Sequence, residues 1–267
     1  MSDDGAAAPT VLLEIREQVA RITLNRPAAG NALSLDLARD LLGAAQRCSA
    51  DTSVRVVLIT GAGANFCVGG DLKSFSAQGE HMGGHIKQVL EHLHPAIALL
   101  SGLEAPVIAA VNGAAAGAGM SLACACDLVL AGESARFTLA YTRVGLSPDG
   151  SATYFLPRLV GLRRALDLAL TNRTLTANEA RDWGIVSSVV PDAELLVAAE
   201  RLAERLANGA TAAFGATRRL FRASMAHSLE EQMAQELDQI VALATQPDAQ
   251  EGAAAFVAKR TPHFTGR

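Results

Sequence analysis

The chain predicts an α/β fold: a spiral of repeated β-β-α units over residues 1–190, then a helical region over residues 191–267. Three observations carry this reading. An apolar β-type run, Val54 to Thr60 (VRVVLIT), meets a glycine-rich loop, Gly61 to Leu72 (GAGANFCVGGDL). The arrangement then repeats, with APVIAAVNG (Ala105 to Gly113) running into AAAGAG (Ala114 to Gly119) and a short helical MSLACAC. From Pro191 onward the sequence is almost entirely Ala- and Leu-rich amphipathic helix. Strands that alternate with loops and helices stack as parallel strands with the helices outside.

The elements follow in order. Val11 to Arg16 and Val19 to Asn25 read as a hairpin with Glu17-Gln18 at its turn, and Arg26-Pro27 ends it. Ser34 caps a helix running to about Ser49, with Leu35, Leu37, Leu41 and Leu42 on one side. Val54 to Thr60 is the next strand. Gly79 to Leu103 opens loosely and becomes helical. Strand, loop and helix fill Ala105 to Cys126, and Asp127 to Ala131 is again a strand. Thr176 and Glu179 form a capping box for a helix that ends near Gly184. The helical tail cannot bury all its apolar faces on itself, so it packs on the core or on another subunit.

Composition narrows the function. A chain of 267 residues suits one large domain or a domain with an appendage. Half the residues are apolar but only 4% are aromatic, so the core must be closely packed Ala, Leu and Val. A net charge of -4, with no Lys/Arg run longer than two, argues against nucleic acid as a partner. Cys48, Cys67, Cys124 and Cys126 show neither CxxC nor disulfide-framework spacing and read as buried, reduced thiols of a cytoplasmic protein. The N-terminal MSDDGAAAPT lacks the charged and apolar regions of a signal peptide. Ala105 to Cys126 is long enough to span a membrane, yet it is rich in Gly and Ala and broken at Asn112-Gly113, so no membrane role is expected. His81 and His85 stand at i, i+4, with His92 and His94 following. No Cys or carboxylate completes a metal set, and no metal is expected.

The chemistry lies in the two loops. Glycine lets a ligand approach the backbone and leaves N–H groups free for an anion. Two such loops on neighbouring strands aim two N–H groups at one oxygen, which is the construction of an oxyanion hole. At these residues the chain resembles the crotonase superfamily, the enoyl-CoA hydratase/isomerase enzymes, and the likeness covers nearly the whole chain. FCVGGD matches the family's Phe-x-x-Gly-x-Asp loop, and NGAAAGAG its second glycine run. The resemblance continues through CDLVLAGESARF, LPRLVG, ARDWGIVSSVV and EGAAAFVAKRTPHF. It implies a crotonase-like spiral, an acyl-CoA thioester as substrate with coenzyme A as its carrier, and no other cofactor. It makes Gly70 and Ala118 the two donors to a thioester enolate, each worth about 3–4 kcal/mol.

The resemblance also implies which groups move protons. Hydratases of the family flank the alkene with two glutamates. Carried over, those positions are Ser121 and Tyr141, and neither is a carboxylate. One acid remains in the region, Asp149 in GLSPDGSATY. Two branches place a single acid after this proline: the enoyl-CoA isomerases, and the ring-epoxide isomerases of phenylacetyl-CoA breakdown. One carboxylate suffices for a 1,3-proton shift, and burial would raise its basicity. Read locally, Pro-Asp-Gly is also an ordinary turn.

For the remaining contacts, the resemblance places coenzyme A near Ala28, within RPAAGNAL, and near Val68, Gly69, Asp71 and Leu72. Asp71 itself reads rather as a helix cap or loop brace, and Asp127 as a brace. Tyr141 lines the acyl pocket or bonds the substrate. Phe256 and Lys259 match residues that reach coenzyme A on a neighbouring subunit of a trimer or dimer of trimers. The expected activity is acyl-CoA isomerisation through Asp149. The alternatives are an enoyl-CoA hydratase of β-oxidation and a non-catalytic acyl-CoA-binding protein.

Overall fold

Alternation within the strands fixes the architecture. The computed structural model describes residues 8–266, so much of the N-terminal stretch read above, residues 1–7, lies outside the described residues. The chain opens with β1 (Val11–Arg16) and β2 (Val19–Leu24), an antiparallel hairpin whose turn residues Glu17 and Gln18 both take positive φ. Then come α1 (Leu35–Ala50), β3 (Val56–Gly61), α2 (Leu72–Ser76) and α3 (Met82–Gly102). Next are β4 (Val107–Val111), β5 (Ala114–Ala116), α4 (Ala118–Ala125), β6 (Leu128–Gly132) and β7 (Arg136–Thr138). They are followed by α5 (Ala152–Val160), α6 (Leu162–Thr171), β8 (Leu175–Thr176), α7 (Ala177–Asp182) and β9 (Ser188–Val190). Four helices finish the chain: α8 (Leu195–Ala207), α9 (Thr211–Ala223), α10 (Leu229–Ala244) and α11 (Pro247–Val257).

The main sheet runs β1-β2-β3-β4-β6-β9, parallel throughout after the first hairpin. A smaller sheet runs β5-β7-β8, and single bridges at Leu33–Gly70 and Cys67–Ala115 extend its layer back through the earlier turns. Each turn of the spiral therefore carries one long strand, one short strand or bridge, and a helix. This is the expected β-β-α repeat. The Ala105–Cys126 stretch lies in it as strand, strand and buried helix, and no helix among the described residues is long and apolar enough to cross a membrane.

Both faces of the main sheet are covered, as parallel sheets require. Val57 and Ile59 of β3, with Val107, Ala109 and Val111 of β4, face the large core with α1, α3 and α4. Their neighbours Val56, Leu58, Ile108 and Ala110 face the other way, onto Leu195, Ala199, Ala203 and Ala207 of α8. Those four residues recur every fourth position, and the alanines let the helix lie close to the strands. The expected division at 190/191 thus falls ahead of a helix that belongs with the sheet. Ser34 caps α1 and Thr176 with Glu179 makes the capping box of α7, as read from the sequence. α3 begins at Met82, so His81 lies in the preceding 3-10 turn and does not share a helical face with His85.

Candidate active site

The two glycine loops are held where no strand partners them. Asn112, just past β4, donates through Nδ2 to Gly61 O and Gly63 O at 2.8 Å each. Asn31, fully buried, donates to Ala62 O at 3.0 Å and Asn65 O at 2.7 Å. Two side-chain amides so satisfy carbonyls that a sheet would otherwise pair. Further along, Cys67 N donates to Ala114 O and Ala116 N donates to Cys67 O, which joins the first loop to β5. Gly69 (φ 100°) and Gly117 (φ 51°) then meet back to back. Both positive φ values strain an ordinary side chain, and a Cβ on Gly69 would stand 3.0 Å from Ala116 O, so glycine at both positions lets the loops close.

This closure leaves two N–H groups over. Ala118 is the first residue of α4, where helix geometry supplies no acceptor and the helix dipole favours negative charge. Neither Gly70 N nor Ala118 N has a hydrogen-bond partner among the described residues. Both residues line one cavity of about 90 Å³. Its walls are apolar: Phe75 of α2, Ile86, Val89, Leu90 and Leu93 of α3, and Leu139, Val144 and Leu146 beyond β7.

Asp149 lines the same cavity, with Tyr141 beside it. Tyr141 donates its hydroxyl proton to Asp149 Oδ1 at 2.7 Å, while Oδ2 has no partner among the described residues. Burial pushes the Asp149 carboxyl above the usual range, against the Tyr141 hydrogen bond and the nearby His94 ring, which favour ionisation. Burial and the Asp149 charge raise the Tyr141 hydroxyl well above its ordinary value, so it stays a donor. Ser121, fully buried in α4, lies 3.1 Å from the Tyr141 hydroxyl and 3.2 Å from Gly117 O. His94 Nε2 accepts from Gly150 N at 3.3 Å and so holds the loop that carries Asp149.

The structure therefore gathers Gly70, Ala118, Asp149, Tyr141, Val68, Gly69 and Leu72 around one cavity. Asp71 does not line it. Its Oδ1 caps α2 through Ser74 N and its Oδ2 pairs with Arg26 at 2.9 Å, so it braces the loop. Ala28 is exposed and does not line the cavity; it lies in a segment whose Gly30 O accepts from Val68 N. Phe256, 85% exposed, and Lys259 lie on and just past α11 and line no part of the cavity within one chain. Asp127 braces α9, pairing with Arg218 at 2.8 Å and Arg222 at 2.9 Å. No cluster of metal-binding side chains is present among the described residues. The cysteines are free, and burial holds the Cys48 and Cys67 thiols up at about 11. Sequence reasoning weighed His94 only as a metal ligand and missed its contact with Gly150. The available signal was its position four residues after Leu90 on the helix that walls the cavity.

The arrangement offers two backbone donors to an oxygen and one basic carboxylate within the same apolar space. Comparisons with known proteins agree with that chemistry. Residues 14–267 match the family model described as enoyl-CoA hydratase/isomerase. A Rhodobacter capsulatus protein named "Probable enoyl-CoA hydratase" is 40% identical over 97% of this chain and 98% of its own. The 1,2-epoxyphenylacetyl-CoA isomerase of Escherichia coli is 36% identical over 96% of this chain and 98% of its own. A crystal structure of an enoyl-CoA hydratase from Polaromonas superposes with a TM-score of 0.90 at 35% identity, covering 95% of this chain and 99% of that one.

Proposed function

The chain belongs to the enoyl-CoA hydratase/isomerase family, within the crotonase superfamily, and from that premise we propose that it is an acyl-CoA isomerase with Asp149 as its proton shuttle. The observation that carries this reading is Asp149 itself. Among the described residues it is the one carboxylate lining the cavity that holds the two free N–H groups. In the proposed reaction the thioester oxygen sits between Gly70 N and Ala118 N. Asp149 Oδ2 takes a proton from the carbon beside the carbonyl, and the enolate charge settles on the oxygen. The same carboxyl returns the proton two carbons further along, which shifts the double bond. Burial raises the basicity of Asp149 for the first step.

The hydratase reading has the Rhodobacter relative's name in its favour. Hydration needs a second group to hold and direct water. Ser121 and Tyr141, at the two expected glutamate positions, bond each other, Gly117 O and Asp149. Turnover of 2-enoyl, 3-enoyl and aromatic-epoxide CoA thioesters tests the choice. The 3-enoyl or epoxide substrate should react fast and hydration of the 2-enoyl substrate slowly. Asp149→Asn should lower kcat by roughly 10²–10⁴. Rapid hydration by the wild-type protein, or an Asn variant near wild-type turnover, would sink the single-acid mechanism.

A further inference from the structure

Ser121, Tyr141 and Asp149 come from three separate elements, yet they form one connected chain of hydrogen bonds. Its far end is informative. Gly117 O, which the Ser121 hydroxyl reaches at 3.2 Å, belongs to the same peptide unit as Ala118 N–H. That carbonyl also accepts from Ser121 N at 3.0 Å. The chain thus runs from the carboxylate to the peptide that carries one oxyanion donor. We propose that Tyr141 and Ser121 are positioning residues that couple the base to the oxyanion hole: Tyr141 fixes Asp149 through Oδ1, and Ser121 fastens Tyr141 to the Gly117–Ala118 peptide. The proposal rests on the enolate reading above and deepens it.

Counting hydroxyl protons gives the coupling a direction. Tyr141 has one proton, and the ionised Asp149 takes it in a hydrogen bond at 2.7 Å. Ser121 has one proton and two acceptors at nearly equal distances, the Tyr141 oxygen at 3.1 Å and Gly117 O at 3.2 Å. While Asp149 is charged, the Tyr141 oxygen is the better acceptor, because its own proton is drawn toward the carboxylate. Once Asp149 carries the substrate proton, that pull ends and the Ser121 proton turns to Gly117 O. An extra hydrogen bond on the carbonyl polarises the peptide and strengthens the N–H at its other end. The Ala118 donor so becomes stronger as the enolate charge arrives. No proton is gained or lost within the chain. Gly150 leaves room for it: a Cβ there would stand 3.1 Å from the Ser121 Cβ.

The titratable groups facing Asp149 are Tyr141 and His94. Loss of the tyrosine hydroxyl should therefore move the base's titration, whereas loss of the serine hydroxyl should act on the oxyanion peptide. The test is exchange of the α-protons of butyryl-CoA in D2O, which reports enolate formation whatever product the enzyme makes. Tyr141→Phe should slow exchange and move the acid limb of the kcat profile upward by about one pH unit, with KM nearly unchanged. Ser121→Ala should slow exchange while leaving the acid limb in place. The double variant should lose far less than the sum of the two, because both substitutions cut one chain. Melting by circular dichroism checks that each variant is folded. Additive losses, or an unmoved acid limb in Tyr141→Phe, would overturn the coupling. Exchange without any double-bond shift would overturn the isomerase assignment alone. No exchange in the wild-type protein would overturn the enolate reading and the coupling with it.

Discussion

At Asp149, function and stability pull in opposite directions. Its carboxyl is raised in the folded protein by burial, so ionising it costs folding free energy. The sign follows from linkage. A raised folded value adds stability that is fully present below the unfolded value, about 3.9, and is lost as pH rises through the folded one. Asp149→Asn removes the charge and keeps an oxygen for the Tyr141 hydroxyl. The variant should melt higher than the wild type at pH 8, and the two should converge near pH 4. Thermal scans across that range, paired with turnover, check it. A variant that melts lower at pH 8 would show that the carboxylate is stabilised by contacts other than these.

Among the elements, α3 does most to shape the cavity, and α9 holds its far end. A helix leaves its last carbonyls without partners. Here Arg218 of α9 donates to Ala105 O, Ser101 O and Leu103 O around the end of α3, and Arg222 donates to Ser101 O. Asp127 pairs with both arginines and accepts from Val107 N at 2.8 Å, so one carboxylate joins α9, the end of α3 and the start of β4. Arg218→Ala strips the carbonyls and leaves Asp127 half paired. It should lower the unfolding free energy by about 3 kcal/mol and speed amide exchange along the last turn of α3. Denaturant titration and exchange mass spectrometry measure the two effects.

The same elements show how far the sequence could be read. The hairpin, α1 with its Ser34 cap, the capping box of α7 and both glycine loops were legible because their signals are contiguous in the chain. Gly70, Ala118 and Asp149 came from the family resemblance, through equally contiguous motifs, and the structure brings all three to one cavity. The bonds among Ser121, Tyr141, His94 and Gly150 were not, because they depend on how four elements turn toward one another. The role of α8 was hidden for a related reason. Its every-fourth alanine spacing shows a packed face but not that the sheet is what lies against it.

For the whole molecule, the tail has apolar faces that one chain leaves bare. Leu229, Met233, Leu237, Ile240 and Val241 of α10 are each more than half exposed and recur every three or four residues. Contiguous apolar surface of this kind marks an interface. We propose that it joins copies of the chain into a trimer or dimer of trimers, with Lys259 of one copy meeting a phosphate of the coenzyme A bound to the next. Two variants on different surfaces should then share one kinetic signature. Leu237→Glu should yield a smaller particle by light scattering. Both it and Lys259→Ala should raise KM for full CoA thioesters with kcat nearly unchanged, and both should spare a short pantetheine thioester. A wild-type monomer, or equal effects on the two thioesters, would rule out the shared site.

The two donors at Gly70 and Ala118 are main-chain atoms, and this has an evolutionary consequence. Every amino acid except proline carries an N–H, so no ordinary substitution deletes the electrophile. It can only be lost by forcing the loops apart, for instance with a side chain at Gly119, where a Cβ would fall 2.2 Å from Cys67 O. Selection can therefore rewrite positions 121, 141 and 149 while the two main-chain donors that hold an enolate oxygen are inherited. A lineage built this way changes its reaction by exchanging proton carriers, and every intermediate ancestor still holds the thioester oxygen.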